Sequence, residues 1–359
     1  MSISALAESL GLSTSTVSRA LNGYTDVSTR TRARVEAAAK AIGYQPHPVA
    51  HRLATGRTGA IALVSSVRSG NYLDAGFAAL LAGVSDSLRP RGYFALSLVL
   101  PTGDDELPEL ERLLAGRLVD GVILARTRTD DPRVTLLQQR GVPFITHGRT
   151  QFNAPHAWVD ADNEQAFFLA TERLAGLGHR RIALINAHPQ MTFAALRAQG
   201  FARGLQAFGL DPAACPVRHG EPTAEDGFRI AAELIAENLG GHNAAGGPIT
   251  AMLCATDAMA LGAMAAIRAA GLVVGRAISV MGYGNSEAGL YAEPPLSTID
   301  HAMVDNGRHL AQLLLRQLLA GTGSAPAHQS HLTHLTHLAA VSLIARQSDG
   351  PCLHTLSTP

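Results

Sequence analysis

From residue 58 onward the chain repeats one alternation, a short apolar run followed by a stretch with helical spacing of apolar residues. "AIALV" (60–64) precedes a helical pattern near 77–89, "YFALSLVL" (93–100) one near 105–116, and "VDGVILA" (119–125) one near 132–140. "VPFITHG" (142–148), "RIALINA" (181–187), "ITAMLCA" (249–255) and "ISVMGY" (278–283) continue the theme. Strands that are apolar throughout need cover on both faces, and strands joined through helices run parallel. About 290 residues is more than one such sheet usually needs. A break at "TQFNAPHAWVDADN" (150–163) divides the array into two similar halves. The expected α/β core is therefore two doubly wound parallel-sheet lobes with a cleft between them.

The first 43 residues read differently, as three short helices. Ser2 can cap a first helix whose apolar positions Ile3, Leu6, Ala7 and Leu10 share one face, and Gly11 ends it. Ser13 caps a second, from Thr14 to about Leu21. Here Val17, Ala20 and Leu21 form a narrow stripe, leaving Thr14, Ser15, Ser18 and Arg19 outside it. Asn22-Gly23 is expected to end this helix through residues tolerant of left-handed backbone. A third helix follows Ser28, turns Val35, Ala38, Ala39 and Ile42 inward, and stops at Gly43. Three helices of this size share one small all-α core. The segment "YQPHPVAHRLATGR" (44–57) holds two prolines and a helix-compatible run too short to be helical alone in water.

Charge separates the same two parts. The chain balances 29 Lys and Arg against 29 Asp and Glu. Residues 1–57 nevertheless carry Arg19, Arg30, Arg32, Arg34, Lys40, Arg52 and Arg57 against only Glu8, Asp26 and Glu36. A basic surplus confined to a small helical segment suits the neutralisation of phosphates. An α-helix fits the major groove of B-DNA, with residues near its amino end reaching base edges. Thr14 and Ser15 are short enough for close approach, and Arg19, one turn later, can pair bidentately with guanine. Thr16, Ser18 and Asn22 complete the expected DNA-facing set. The competing reading is a capped surface helix in a small bundle.

Other classes find little support. Cys215, Cys254 and Cys352 have no paired spacing, and no apolar run reaches the roughly 20 residues of a membrane span. A soluble cytoplasmic protein without membrane partners is expected. His328, His331, His334 and His337 recur every third residue, but with no carboxylate or cysteine beside them the tract reads as a short duplication and no metal is expected. There is no G-x-S-x-G elbow, P-loop or dinucleotide fingerprint, so neither an enzyme nor a cofactor is expected.

The stretches "ISALAESLGLSTSTVSRALNG", "VSTRTRARVEAAAKAIGY" and "QPHPVAHRLATGRTGAIALV" resemble, in order and spacing, the headpiece and hinge of the LacI/GalR (lactose-repressor) family. "RAQGFARGL", "CATDAMALGAMAAIRAAGL" and "ISVMGYGNSEAGLYAEPPLSTID" extend the resemblance through the core. It implies a helix-turn-helix headpiece at 1–45, a hinge helix or linker at 46–57, a two-lobed core of the type I periplasmic-binding-protein kind at 58–348, and a tail at 349–359. It also implies a ligand-responsive transcriptional repressor of carbohydrate-utilisation genes, acting as a homodimer on palindromic double-stranded operator DNA. In such a protein the hinge folds on DNA, with His47, Ala50 and Leu53 at the minor groove and Leu53 as the wedge. Around the cleft the resemblance places Phe77, His147, Arg149, Arg197, Asp257, Tyr283 and Asn285, against a small carbohydrate effector. For Arg197 the alternative is a solvated helix arginine, and for Asp257 it is a helix cap. "GYGN" (282–285) stands where the family usually has Gly-Tyr/Phe-Asp-Asp, so Gly284 removes a carboxylate that often holds sugar hydroxyls. "THGR" (146–149) is similar to the α-glucoside-sensing branch. The alternative function is a solute-binding receptor without a DNA-binding role.

Overall fold

Serine hydroxyls start all three helices of the amino-terminal segment. Ser2 accepts from the Ala5 amide ahead of α1 (Ile3–Leu10), Ser13 from Thr16 ahead of α2 (Thr14–Leu21), and Ser28 from Thr31 ahead of α3 (Thr29–Ala41). Each satisfies an amide that the first helical turn leaves unpaired. Gly11 ends α1 with φ 64°. Leu6, Ala7, Val17, Ala20, Val35 and Ala39 close the core, with Leu12, Val27 and Tyr44 packed against it. Ile42, expected inside, is 36% exposed, because it sits at the end of α3 and is turned outward.

The computed structural model describes residues 2–22, 24, 26–44, 57–67, 75–101, 103, 106–239, 247–320 and 335–352. It divides into two compact units, 1–59 with 117–120, and the remainder. Within the first unit the Asp120 carboxylate accepts from the Thr58 amide (2.7 Å), the Thr58 hydroxyl (3.0 Å) and the Gly59 amide (2.9 Å).

The second unit contains the two expected lobes. In the first, β1 (Ala60–Val67), β2 (Phe94–Pro101), β3 (Gly121–Leu124), β4 (Phe144–His147), β5 (Trp158–Ala161) and β11 (Thr336–Ala339) form one parallel sheet, ordered β11-β5-β4-β3-β1-β2. The helices α4 (Ala75–Leu88) and α12 (Met303–Ala320) cover one face, packing Leu80, Val84, Leu310 and Leu314 against Ile61, Leu63, Ile123 and Ile145. The helices α5 (Glu106–Ala115) and α6 (Pro132–Gln139) complete this lobe.

The second lobe shows why its strands read as continuously apolar. Its sheet joins β6 (Ile182–Asn186), β7 (Val217–His219), β8 (Ala251–Cys254) and β9 (Ser279–Met281) in the order β7-β6-β8-β9, all parallel. Ile182, Leu184, Ala251 and Leu253 face α7 (Asn163–Gly176) and α8 (Thr192–Ala207). Their alternates Ala183, Ile185, Met252 and Cys254 face α9 (Ala224–Leu239) and α10 (Asp257–Ala269). With both faces buried, alternation carries no polar residues. The short α11 (Glu287–Leu290) follows β9, and β10 (Thr298–Asp300) pairs antiparallel with β12 (Ser342–Ile344).

Two readings need correction. The break at 150–163 contains β5 itself, and the halves are not contiguous, since α12 and β11 return to the first lobe. Past β11 the chain turns after Ala339, so that β11 and β12 join different sheets. Finally, packing does not stop at 348. Asp349 is buried, pairs with Arg173 and accepts from the Ser297 hydroxyl, while the Cys352 amide donates to the Leu177 carbonyl at 2.9 Å. Among the described residues no helix is long and apolar enough to cross a membrane.

Candidate functional site

On α2 the core takes Val17 and Ala20, leaving Thr14, Ser15 and Arg19 exposed. The Ser13 hydroxyl links the Ser15 and Thr16 hydroxyls, each at 2.8 Å, so Thr16 is engaged in the cap. Asn22, at φ −92° and ψ 6°, follows the last helical residue, and its side-chain amide donates to the Ser18 carbonyl at 2.8 Å and hydroxyl at 3.3 Å, closing the last turn; Gly23, the other residue expected to end the helix, lies outside the described residues. Arg19 is ion-paired with Asp26 and lies 5.5 Å from the Tyr24 ring centroid. His47, Ala50 and Leu53 lie outside the described residues, as do His328, His331 and His334.

A second polar cluster lies where strands of both lobes end, the usual place for ligands of open α/β sheets. Arg197, in the second turn of α8, is 6% exposed and so is not a solvated helix arginine. Its Nε donates to Asn163 Oδ1 at 2.8 Å and its Nη1 to the Ala255 carbonyl. The guanidinium carbon stands 3.7 Å from the Tyr283 ring centroid and 4.6 Å from that of Phe193. Burial lowers the Arg197 pKa and pushes that of Tyr283 up to about 12, the latter against the opposing influence of Arg197. The Tyr283 ring meets the His301 ring at 4.4 Å, and His301 is held down at about 3 by burial first, then by Arg197 and His147. It is a neutral imidazole at neutral pH.

Arg149 joins from the first lobe. Its Nε donates to Asp160 Oδ2 at 2.9 Å, and its guanidinium lies 5.5 Å from the Trp158 ring. Asp160 Oδ1 accepts from Asn163 at 3.0 Å, completing the chain Arg149, Asp160, Asn163, Arg197.

Asp257 is not the cap of α10. Thr256 fills that role, accepting from the Met259 amide, and frees the Asp257 carboxylate to accept from the Thr298 hydroxyl and the Ser286 amide, both at 2.6 Å. Gly282 permits this, because a Cβ there would stand 2.3 Å from Asp257 Oδ1. Asn285, at φ 49°, donates to Asp300 at 3.2 Å and accepts from Arg346 at 2.6 Å. Phe77 belongs to the packed first-lobe core, and His147 ends β4.

The cluster thus joins Arg149, Arg197, Asp257, Tyr283 and Asn285 of the expected set. It adds Asp160, Asn163, Phe193, Asp300, His301 and Arg346, which the sequence reading missed. The signal for Asp160 was present, a carboxylate in the otherwise apolar strand "WVDA". Among the described residues no group of three or more His, Cys, Asp and Glu is placed to hold a metal ion.

Comparison with known proteins gives two matches to family models. Residues 2–47 match the lacI family of bacterial regulatory proteins, and residues 171–348 a periplasmic binding protein-like domain. The HTH-type transcriptional regulator AglR of Rhizobium meliloti (strain 1021) is 37% identical over 352 residues, covering 96% of this chain and 93% of the relative. The solved complex of the transcriptional regulator CelR with cellobiose is 30% identical, with a TM-score of 0.70 over 97% of this chain and 99% of that one. The lac repressor dimer bound to operator and the anti-inducer ONPF is 28% identical, with a TM-score of 0.77 over 98% and 99% of the two chains.

Proposed function

Because the chain belongs to the lacI family of bacterial regulatory proteins, we propose that it is a repressor of carbohydrate-utilisation genes whose hold on a palindromic operator is set by a small neutral sugar in the core cleft. The observation that carries the DNA half is the exposed face of α2, where Thr14, Ser15 and Arg19 stand clear of the three-helix core. Arg19 reads guanine, Thr14 and Ser15 tune the preferred site, and Thr16, Ser18 and Asn22 lie at the backbone. Residues 1–45 act as the headpiece and 46–57 as the hinge, with His47, Ala50 and Leu53 at the minor groove. The core begins at 58. A receptor without DNA-binding role gives such a basic headpiece nothing to do.

For the effector, the chemistry of the cleft supports a polyhydroxyl ligand. Its guanidinium groups already have hydrogen-bond acceptors, Arg149 the Asp160 carboxylate, Arg197 an amide and a carbonyl oxygen, and Arg346 Asn285 and the Leu296 carbonyl. Hydrogen-bonding groups beside the faces of Tyr283 and Phe193 fit a sugar's hydroxyls and its apolar ring face. His147 and Asp257 complete the proposed effector set, while Phe77 packs in the first-lobe core. The resemblance of "THGR" to the α-glucoside-sensing branch makes an α-glucoside the first choice, and the CelR–cellobiose complex makes a β-linked disaccharide the comparison ligand.

The homodimer rests on exposed apolar residues. Phe94 (72% exposed) and Leu96 lie on β2, the edge strand of the first sheet, and Tyr291 (77%) follows α11. Exposed apolar edges call for a partner. The test is selection of DNA sites from a random pool, followed by operator titration in the presence of α- and β-linked disaccharides. Enrichment of an inverted repeat whose affinity changes with one sugar is the expected result. No enriched sequence would remove the DNA role, and a response to nucleosides alone would replace the effector class.

A further inference from the structure

Of the four histidines spaced three apart in the sequence, His337 is the one that lies among the described residues. It belongs to β11, at the edge of the first sheet, where it stands opposite Val159 of β5. Side chains alternate along a strand, so Leu335, His337 and Ala339 share the face toward α12. Leu335 packs there against the core that holds Val159 and Leu310, and Ala339 is buried. Thr336 and Leu338 take the opposite face, which leaves Leu338 43% exposed. From α12, His309 meets His337. The two rings stack with centroids 4.3 Å apart and planes 26° from parallel, and both side chains are half-buried.

The charged groups around this pair are committed elsewhere. On α12, Asp305, one turn before His309, pairs with Arg308 at 2.6 Å, and Arg308 also reaches Asp86 of α4 at 3.2 Å. Arg316, two turns beyond His309, is exposed and adds a further positive charge. On β5, Val159 and its neighbours Ala157 and Ala161 bring no charge to this face, and Asp160 lies on the other, bound to Arg149 and Asn163. His309 Nδ1 is buried and has no hydrogen-bond partner among the described residues. Burial first, and then the facing His309, hold the His337 imidazole below the ordinary histidine value.

We infer that the stacked His309–His337 pair is an acid-sensitive seam: uncharged, the rings hold the edge strand β11 to α12, and protonation of both loosens it. One proton is tolerated, because a cation lies favourably over an aromatic face. The second sets like charges face to face at 4.3 Å in a half-buried site, where water screens them poorly. A released strand takes up both protons near the ordinary histidine value of about 6.5, the packed strand only at lower pH. Pairing of β11 is therefore complete above about pH 6.5 and weakens as the pH falls below it. Neither the cleft nor the headpiece takes part.

Two backbone hydrogen bonds report on the seam. The Trp158 amide donates to the Leu335 carbonyl at 3.3 Å and the Asp162 amide to the Ala339 carbonyl at 3.0 Å, at the two ends of the β5–β11 pairing. Hydrogen exchange is measured on the full-length, sugar-free protein, with and without EDTA, at about pH 7.5 and about pH 5, each rate divided by that of an unstructured peptide at the same pH. Protection of both amides is expected to fall about tenfold between the two, while amides of β6 and β8 keep theirs. His309→Phe keeps a ring over His337 but removes one of the two protons, and the fall at Trp158 and Asp162 should shrink to less than about twofold. His337→Phe makes the same change from the strand side and serves where the helix variant does not fold. Equal protection at both pH values in the wild type overturns the seam. So does an undiminished fall in either phenylalanine variant, which would assign the acid response to other buried histidines such as His156 and His179. Protection at the higher pH that is lost on adding EDTA overturns it too, because the rings would then share a metal ion.

Discussion

Arg19 in the headpiece and Arg197 in the second lobe are both arginines on short-range helical frames, yet they are prepared in opposite ways. Arg19 is half exposed and ion-paired to an equally exposed Asp26, with side-chain exposures of 52% and 47%. Such a pair is worth about 0–1 kcal/mol, so a phosphate or guanine can displace it at little cost. Arg197 is buried, fixed by Asn163 and the Ala255 carbonyl, and stacked on Tyr283. Its geometry is set before any ligand arrives. A surface that must first slide along DNA benefits from an exchangeable cation, whereas a cleft that distinguishes one hydroxyl pattern from another benefits from a fixed one.

Arg197→Ala should therefore produce the largest effect. It removes a buried cation and leaves the Asn163 and Ala255 oxygens without their donor, costing about 2–4 kcal/mol in urea unfolding. It should also abolish any sugar-dependent shift in operator affinity. A loss below about 1 kcal/mol would mean that water already reaches the guanidinium, and the contrast with Arg19 would collapse. Arg19→Ala comes next, with the opposite profile. Operator affinity should fall by about 1–3 kcal/mol while random-sequence affinity falls much less. Folding stability should change by no more than about 0.5 kcal/mol.

The contrast also explains what the sequence could reveal. The headpiece was legible nearly to the residue because local chemistry sets it: Ser2, Ser13 and Ser28 cap, Gly11 terminates, and an apolar stripe faces inward. It did not show the side-chain bond by which Asn22 closes the last turn of α2. The parallel strands were legible through their apolar runs, but the two-strand ending at 336–344 was not, since nothing local tells a chain which sheet to join. Within the cleft, Arg197 and Tyr283 were found, while His301, Asp300 and Arg346 escaped. They come together through the β10–β12 pairing, a long-range event with no periodic signature.

The buried side of the comparison makes a pH prediction. His301 is held at about 3 by burial, then by Arg197 and His147, against an ordinary value of 6.5. Above 6.5 the imidazole is neutral in both folded and unfolded chains, so it contributes nothing to the pH dependence. Below that, the unfolded chain takes up a proton that the folded one refuses, and stability falls by up to about 1.4 kcal/mol per pH unit until the pH nears the folded value. Burial shifts His156 and His179 the same way. Replacing His301 by Asn should make the slope of stability between about pH 6.5 and pH 4.5 shallower by roughly one proton. An unchanged slope would show that His301 titrates normally in the folded protein, which places water in the cleft beside Tyr283.

The smallest effect is expected from Asp26→Asn, and its sign is the informative part. If Asp26 merely occupies Arg19 until DNA arrives, removing its charge saves the cost of breaking the pair and removes one repulsion from the phosphates. Binding to operator and to random DNA should then tighten together by about 0.2–1 kcal/mol, with a salt dependence steeper by up to about one counterion. Melting temperature should move little, because a half-exposed pair contributes little to folding. Weaker operator binding, with random-sequence binding unchanged, would reverse the interpretation. Asp26 would then aim the guanidinium at its base, and Tyr24, 5.5 Å from Arg19, would form the other side of the guide. In that case the headpiece arginine is prepared in advance as firmly as the buried one, and the difference between the two regions reduces to solvent exposure.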